Sequence, residues 1–361
     1  MQTQITSKKS SGVTHNYSLR RFLSTIGMLT VPWMCGAANG ATLSVCKSGC
    51  AYAVVQSAIN AAHSGDTITV GPGTYFENLS VKGKTLTIIG SGEDFTVLDG
   101  GFHGVVVNVI AGEVAGAIVK PSLTLIAVTV THGSEGGIVV LRGAFNLQNS
   151  IVTSNRADGL GGGIAITSAA AKISKSIISH NAATDHGGGI WIESEATLSI
   201  DSSTVTRNAA ARGGGLYVGY KTEVTATNTV FADNTATTDG GGIFKSAGDI
   251  HVPGGKLSVS SSSFVNNHAL NDGGGIYAEG GLALSSLVLA RNTAAGSGGG
   301  IRLAPGVNNN LGSVILNDAF VVQNSAGVSG GGISAVGSVV NTGSTIAGNT
   351  PDECVATQGG C

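Results

Sequence analysis

Short runs of alternating apolar and polar residues fill most of the chain from about residue 143 to residue 350. Three such runs recur in each stretch, for example IWIES at 190–194, ATLSID at 196–201 and STVTRN at 203–208. Period-two alternation over five or six residues is typical of β-strands, and no helical period accompanies it in this region. The pattern therefore predicts units of three short strands.

One phrase, from an asparagine to GGGI, marks every unit. It is NTATTDGGGI at 234–243 and returns as NRADGLGGGI, NAATDHGGGI, NHALNDGGGI, NTAAGSGGGI and NSAGVSGGGI, with a shorter NAAARGGGL. Successive phrases lie close to 26 residues apart, with longer steps where Gly, Pro and Asn cluster near 246–256 and 304–312. Three strands per unit without helices predict an all-β parallel β-helix of about ten rungs, with loop insertions at these two places.

The repeated asparagines form one column of the predicted stack. They are Asn155, Asn181, Asn208, Asn234, Asn267, Asn292, Asn324 and Asn349. Rungs lie ~4.8 Å apart, a spacing at which identical amides hydrogen-bond up and down a stack. Asparagine also tolerates the left-handed backbone of a sharp corner, and the glycines permit the next bend. We therefore interpret the phrase first of all as structural.

The chain before the repeats is less regular. The spacing of Val54, Val55, Ala58, Ile59 and Ala62 predicts a helix over 51–63, which we expect to cap the open end of the stack. Residues 66–142 are interpreted as less regular first rungs, 143–350 as repeat rungs and 351–361 as a C-terminal clip. Together, 41–361 are predicted to form a single β-helix domain.

Residues 1–40 are interpreted as a secretory signal peptide. A basic stretch ends at Arg20 and Arg21, an apolar segment follows from Phe22 to about Met34, and the small residues GAANGA come next. The apolar segment is too short for a membrane span. We expect a secreted, extracellular protein, with the periplasm or the cell surface as other destinations.

Four cysteines lie beyond the leader, in two close pairs near the ends of the domain: Cys46 with Cys50, and Cys354 with Cys361. Four cysteines allow three pairings, and the spacing favours two local disulfides in an oxidising compartment. A zinc site is the weaker alternative, because no histidine lies beside either pair.

Composition excludes some partners. Charged residues make up 11% of the chain and the net charge is −2, so no basic surface favours nucleic acid or an anionic membrane. The hydrophobic content of 42% is ample for a core, and we expect a monomer.

The run VVQSAINAAHSGDTITVGPGTYFENLSVKGKTLTIIGSGEDFTVLDG resembles the opening of right-handed parallel β-helix proteins of the pectate-lyase-like superfamily. The later GGGI, FADN and FVNN elements resemble the polymorphic outer-membrane-protein repeat. The resemblance implies a right-handed, single-stranded β-helix. It does not imply one function, because the superfamily includes lyases, hydrolases, epimerases, adhesins and inert stalks.

Two columns of the predicted stack carry candidate functional residues. The residue after each repeated isoleucine faces outward, which places Trp191, Tyr217, Phe244 and Tyr277 in a row able to stack on sugar rings or on one another. Glu193 and Glu279 lie further along the same strands. The position before the glycines holds His186, Arg212, Asp239 and Asp272 on the same four rungs.

The second column suggests two kinds of chemistry. Arg212 lies one rung from His186 and from Asp239, an arrangement that suits proton abstraction beside a sugar carboxylate. Asp239 and Asp272 are neighbours that can share Ca²⁺, although no cofactor is required by the pattern. Mixed charges on a solvated turn explain the same residues without any chemistry.

Lys245 interrupts an inward-facing column that otherwise holds apolar residues. Because a buried, unpaired lysine is rare, we expect its amine to reach solvent through the insertion that follows it.

The first functional hypothesis is a glycan- or cell-surface-binding, adhesin-like protein without a membrane anchor of its own, because the rungs look too uniform to contain a cleft. The alternative is a polysaccharide lyase, or a related hydrolase or epimerase, that acts on an acidic polymer such as pectate or alginate. A structural spacer is the third hypothesis.

Overall fold

The structure is a computed structural model that describes residues 40–114, 116–249 and 251–361. The predicted signal peptide lies outside the described residues except for residue 40. Strands predominate, and they hydrogen-bond in parallel, in register, to the equivalent strands one coil before and one coil after. The predicted all-β parallel β-helix is therefore confirmed.

The stack has four parallel sheets, named A to D here; sheets A, B and C run along its length, and sheet D is confined to the repeat coils. Sheet A has 12 strands: Thr42–Val45, Thr67–Val70, Thr85–Ile89, Ser122–Ile126, Ala144–Gln148, Ala170–Ser174, Thr197–Asp201, Glu223–Thr227, Lys256–Ser260, Leu282–Ser285, Ser313–Asn317 and Ser338–Thr342. Sheet B has 11 strands: Gly73–Phe76, Thr96–Asp99, Thr129–Thr131, Ile151–Thr153, Ile177–Ser179, Thr204–Thr206, Val230–Ala232, Ser263–Val265, Val288–Ala290, Phe320–Val322 and Thr345–Ala347. Sheet C has 11 strands: Leu79–Lys82, Val107–Ile110, Ile138–Leu141, Ile164–Thr167, Ile190–Glu193, Leu216–Val218, Ile243–Lys245, Ile276–Glu279, Ile301–Ala304, Ile333–Ala335 and Cys354–Ala356. Sheet D has 7 short strands: Arg156–Ala157, Ala182–Ala183, Ala209–Ala210, Thr235–Ala236, His268–Ala269, Thr293–Ala294 and Ser325–Ala326.

Each repeat coil passes through the sheets in the order A, B, D, C. The three strands that alternation predicts are those of sheets A, B and C, whose inward residues form one continuous core. The two-residue strands of sheet D follow the repeated asparagine, and period-two alternation cannot reveal a strand of that length. Phe231 and Phe264 stack inside the core with ring centroids 4.9 Å apart.

The repeated asparagines form a continuous buried ladder. Each side-chain Nδ2 donates to the Oδ1 of the next asparagine, from Asn155 to Asn181 at 3.1 Å and on to Asn324 and Asn349 at 3.0 Å. The same Oδ1 also accepts the backbone N–H of the preceding asparagine, for example from Asn208 to Asn234 at 3.1 Å. The predicted amide ladder is therefore present, and every bond in it points the same way.

The asparagines themselves do not adopt the left-handed conformation that the sequence suggested. The residue immediately before each one does, as at Arg207 (φ 53°), Asp233 (φ 55°) and Asn266 (φ 56°). The corner therefore bends one position earlier, and the asparagine lies inside it as a hydrogen-bonding side chain.

The glycine triplet has two separate roles. Its first glycine is left-handed, as at Gly213 (φ 63°), which favours a residue without Cβ. The third lies against the neighbouring rung, so that a Cβ on Gly215 would be 2.6 Å from the carbonyl oxygen of Gly242. The triplet thus combines a corner with a close approach of two backbones.

A short helix, Val55–Ala61, packs at the N-terminal end of the stack with Val55, Ala58 and Ile59 buried. The Glu77 carboxylate accepts the N–H groups of Val55 and Gln56 at 2.9 and 2.8 Å and so caps the first turn. The predicted helix over 51–63 is present but shorter. The strand Thr42–Val45 precedes it and pairs with Thr67–Val70, which the sequence did not indicate.

The four cysteines form the two local disulfides that their spacing favoured, Cys46–Cys50 and Cys354–Cys361. A zinc site at these cysteines is therefore excluded. No helix in the described part of the chain is both long and apolar enough to cross a bilayer.

Insertions concentrate at the corner that leads from sheet C to sheet A. An antiparallel hairpin, Gly112–Val114 with Ala117–Val119, lies there. So do the two predicted insertions, which span 246–255 and 305–312, the second with a 3₁₀ turn at Val307–Asn309. Between these two loops, the intervening rung crosses the same corner through Gly280 and Gly281 alone.

Candidate functional site

The predicted aromatic row lies on the outer face of sheet C. Trp191, Tyr217, Phe244 and Tyr277 are register partners on four successive strands. The Tyr217 and Phe244 rings stack with centroids 5.3 Å apart, and the Phe244 and Tyr277 rings with centroids 5.0 Å apart. Parallel strands in register impose this stacking on a column of like residues.

The row is less open than the sequence suggested. Trp191 is 8% exposed, Tyr217 7% and Phe244 2%, and with Ala165 they form a hydrophobic cluster separate from the core. The prediction that all four rings are exposed is therefore wrong for three of them, because stacked rings cover Tyr217 and Phe244 and because Trp191 packs in the same cluster. Of the four, Tyr277 alone is partly exposed.

The polar row runs beside the aromatic row with an offset of one rung. His186 stacks on Tyr217 of the next rung, with ring centroids 4.5 Å apart. The Arg212 guanidinium lies over Phe244, again one rung further on, 5.4 Å from the ring centroid. The two rows that the sequence placed on the same four rungs thus form one continuous surface.

Asp239 and Asp272 each face an arginine. Asp239 lies 4.0 Å from the Nε of Arg212, and Asp272 lies 3.4 Å from the Nε of Arg302. The Arg302–Asp272 contact is the shorter of the two but is not aligned as a hydrogen bond, since Arg302 Nε has no hydrogen-bond partner among the described residues. Arg302 donates instead from Nη1 to Ser334 at 2.7 Å.

The predicted Ca²⁺ site at Asp239 and Asp272 does not fit this geometry. Asp239 Oδ1 accepts hydrogen bonds from Asn271 Nδ2 at 2.7 Å and from the Asp272 N–H at 3.2 Å, and Asp272 Oδ1 accepts the Ser297 N–H at 2.7 Å. Their other oxygens face the arginines. Within the described ranges, no three His, Cys, Asp or Glu side chains cluster at a metal-binding distance.

The candidate set of His186, Arg212 and Asp239 is only partly assembled. Arg212 pairs with Asp239, but His186 stacks on Tyr217, and its buried Nδ1 has no hydrogen-bond partner among the described residues. The structure therefore provides a charged pair on an aromatic surface, with Arg212 about half exposed, rather than a coupled acid–base triad.

Burial shifts the pKa values of ionisable groups in and beside the aromatic row. Burial raises the pKa of Glu193 above that of an ordinary glutamate. Burial also raises the pKa of Tyr277 to about 12, and the nearby Asp239 and Glu279 carboxylates add to the effect. Burial raises the pKa of Tyr217 as well, and the Glu193 charge adds to this effect. Both tyrosines therefore remain protonated hydrogen-bond donors at neutral pH.

The two insertions at the C-to-A corner border an open cleft of about 470 Å³. Ala247, Asp249 and residues 251–255 form one wall, and Gly306, Val307 and Asn310 form the other. Lys245, Glu279 and Gly280 lie between the walls. Glu279 is therefore brought into a cleft, whereas Glu193 lies three strands away in sheet C.

Lys245 is the cleft residue whose environment the sequence predicted least well. It is 8% exposed rather than extended into solvent, and its amine donates to the backbone carbonyl of Glu279 at 2.8 Å. Burial lowers its pKa, and the Glu279 charge opposes that shift. The break in the apolar column at Lys245, next to an insertion, was the available signal for this site.

A stack of register-paired parallel coils defines a parallel β-helix protein. The sequence matches the family described as "Right handed beta helix region" over residues 115–293 and 163–360, together more than half of the chain. The chain belongs to this family, and the predicted right-handed β-helix is confirmed. The likeness to the polymorphic outer-membrane-protein repeat stays a prediction.

Among curated proteins, no sequence matches this chain. Three solved structures that resemble its fold are carbohydrate-active enzymes. Pectin methylesterase PemA from Erwinia chrysanthemi is 13% identical, with a TM-score of 0.41, over 67% of this chain and 81% of that chain. A GH87 alpha-1,3-glucanase from Streptomyces thermodiastaticus is 11% identical, with a TM-score of 0.42, over 85% and 70%. Pectate lyase Pel9A is 11% identical, with a TM-score of 0.39, over 88% and 82%. At these values, the likeness concerns the fold alone.

Proposed function

We propose that this protein is a carbohydrate-active β-helix protein that holds a polysaccharide along the outer face of sheet C and acts on it at the cleft. The cleft is the observation that supports this proposal most strongly. Uniform rungs favour binding without turnover, but the insertions at 246–255 and 305–312 border an open cleft beside otherwise regular rungs. Concave sites with a few polar groups are where small ligands and substrates bind.

The groups on this face are suited to contact with sugars. Arg212 offers a half-exposed cation over an aromatic ring, and Tyr277 offers a partly exposed ring with a protonated hydroxyl. Glu279 places a carboxylate in the cleft, where general acid or base catalysis at a glycosidic bond or at a sugar ring proton needs one. The acidic polymers pectate and alginate remain candidate substrates beside neutral glucans.

A substrate panel tests turnover. The full chain is incubated with pectate, methylated pectin, alginate and α- and β-glucans, with and without Ca²⁺. A lyase produces unsaturated ends that absorb in the ultraviolet, a hydrolase releases reducing ends and an esterase releases methanol. We expect one product from one polymer class, and we expect Glu279→Gln to abolish it. If no polymer yields any of these products, the protein is not an enzyme of this kind.

Glycan binding without turnover is the second proposal, and the aromatic row that ends at the partly exposed Tyr277 favours it. A glycan array with the full chain tests it. Tyr277→Ala is expected to weaken binding at least about tenfold, as truncation of an interface aromatic commonly does. Undiminished binding by a folded Tyr277→Ala variant would show that this face is not used.

Export completes the proposal. Two disulfides are compatible with a secreted protein, because such bonds persist in oxidising compartments. A monomeric state and a destination outside the cell are part of the same proposal. Cell fractionation and size-exclusion chromatography of the exported chain test them.

A further inference from the structure

Lys245 occupies a position at which the β-helix requires no charge. Its register partners in sheet C are Val218 and Ala278, both fully buried in the core. An apolar side chain would fill the same column without the desolvation cost of an ammonium group. A lysine that is more than nine-tenths buried at this point is therefore not explained by the packing of the rungs.

The Lys245 amine has more N–H donors than hydrogen bonds to the described residues. An ammonium group has three N–H donors, and among the described residues it donates to one acceptor, the Glu279 carbonyl at 2.8 Å. No carboxylate of the described residues lies within ion-pair distance of it. Because Lys245 lines the cleft, its remaining donors are available to whatever occupies that space.

Glu279 supplies the complementary acceptor. Its Oε2 accepts the Ala247 N–H at 2.8 Å, which fixes the carboxylate against the start of the loop. No described residue donates to Oε1. A buried donor and a fixed acceptor thus lie in the same cleft, on adjacent rungs of sheet C.

The charge of the lining favours a neutral ligand. Asp249 and Glu279 place two carboxylates in the cleft against the single ammonium of Lys245. A further anion such as a uronate carboxylate would meet a lining of net negative charge, which is unfavourable. Sugar hydroxyls both donate and accept, so that adjacent hydroxyls satisfy both groups at once. The volume of about 470 Å³ lies in the range of small-ligand sites.

We infer that the cleft is a binding site for a neutral sugar residue, in which Lys245 donates to one hydroxyl and Glu279 accepts from its neighbour. The inference rests on the proposed function and specifies it, since it names the part of the polysaccharide that enters the cleft. Arg212 and Tyr277 would then contact the rest of the chain along sheet C.

Calorimetric titration of the full chain with tetrasaccharides of glucose in different linkages, and with tetragalacturonate, tests the inference. Lys245→Met keeps the length of the side chain and suits the apolar column, and Glu279→Gln keeps an acceptor for Ala247. Lys256→Met is the matched control, because Lys256 is exposed and does not line this cleft. We expect a glucose tetrasaccharide to bind at least about tenfold more weakly to the first two variants and unchanged to the control.

A second readout does not depend on affinity. The bound tetrasaccharide should slow acetylation of Lys245, followed by peptide mass spectrometry, and leave acetylation of Lys256 unchanged. Protection of both lysines or of neither would contradict the assignment.

Other results would overturn the inference in distinguishable ways. A Lys245→Met variant that unfolds more easily but binds normally would make Lys245 a structural residue. Binding of tetragalacturonate alone would overturn the neutral sugar. Glucan binding that no cleft variant weakens would overturn the cleft and leave the proposed function standing, whereas the absence of any saccharide binding, together with a negative substrate panel, would overturn both.

Discussion

Asn234 illustrates what a single repeated side chain contributes to this protein. Its Oδ1 accepts the N–H and the Nδ2 of Asn208, both at 3.1 Å. Its own Nδ2 donates to Asn267 Oδ1 and to the Val205 carbonyl, both at 2.9 Å. Both polar ends of the amide are thus satisfied at a site with no solvent exposure. No shorter or apolar side chain can replace all of these bonds.

Asn234→Ala should lower the free energy of unfolding by about 3 kcal/mol or more, because it leaves buried donors on Asn208 and a buried carbonyl on Val205 unpaired. The midpoint of urea unfolding measures the loss. Asn60→Ala, on the exposed side of the short helix, is the control and should change the midpoint little. Equal effects of the two substitutions would mean that the ladder adds nothing to stability.

Glu353 ends the ladder where no further asparagine follows. Its Oε2 accepts the Nδ2 and the N–H of Asn349 at 2.7 and 3.1 Å, and its Oε1 accepts the Gly348 N–H at 2.7 Å. The Asn349 side chain, helped by these backbone N–H groups, lowers the pKa of Glu353 below that of an ordinary glutamate.

This shift predicts a pH dependence of stability. A carboxylate whose pKa is lowered on folding stabilises the fold above its unfolded pKa, and this contribution is lost as the pH falls through the lower, folded value. Glu353→Gln should therefore be less stable than the natural chain near neutral pH, and the difference should shrink below about pH 4. Urea unfolding of both proteins across this range measures it. A difference that does not vary with pH would contradict the role of the charge.

The glycine triplet and the strand after it form the element that sets the contact between rungs. Gly215→Ala should destabilise the protein by roughly 2 kcal/mol or more, since the added Cβ would lie 2.6 Å from the Gly242 carbonyl oxygen. Gly281→Ala is the matched control, because its nearest neighbour would be 3.8 Å away. Thermal unfolding followed by circular dichroism compares them, and a Gly215→Ala variant as stable as the control would refute the close approach.

Much of each element could be predicted from the sequence. The alternation in TLSID follows from which side of the strand is buried, and the fixed spacing of Asn208 and Asn234 follows from coils that must stack in register. These are local or periodic constraints, so they are visible in one sequence. The two insertions were visible for the same reason, because they lengthen the repeat.

Features that depend on neighbouring rungs were harder to predict. The burial of Phe244 depends on the rings above and below it, and the hydrogen bonds of Asp239 depend on Asn271 and on the Asp272 N–H one rung away. The left-handed corner at Asp233 rather than at Asn234 is a backbone property that residue type does not report. Likewise, the sequence predicts a solvent-exposed Lys245 amine because it does not reveal that the Glu279 carbonyl, on the adjacent rung, can accept its hydrogen bond.

At the scale of the whole molecule, each coil contacts mainly the coils directly above and below it. Hydrogen exchange should therefore be slowest in central strands such as Val230–Ala232 and fastest in Ser338–Thr342 and Thr345–Ala347, which pair on one side only. Mass spectrometry of deuterated peptides measures the gradient. Uniform protection from centre to end would show instead that the stack opens as one unit.

Because the asparagine bonds all point in one direction, the ladder can tolerate a change in the number of coils. In the ladder, any internal asparagine receives two hydrogen bonds from the coil before it and gives the same two to the coil after it, so that duplication or loss of a whole unit leaves the asparagine bonds at every junction unchanged. Only the final coil differs, because Glu353 accepts the hydrogen bonds of the Asn349 N–H and Nδ2 in place of a further asparagine. A gene that carries this arrangement can lengthen or shorten its product in whole turns while the terminus stays the same.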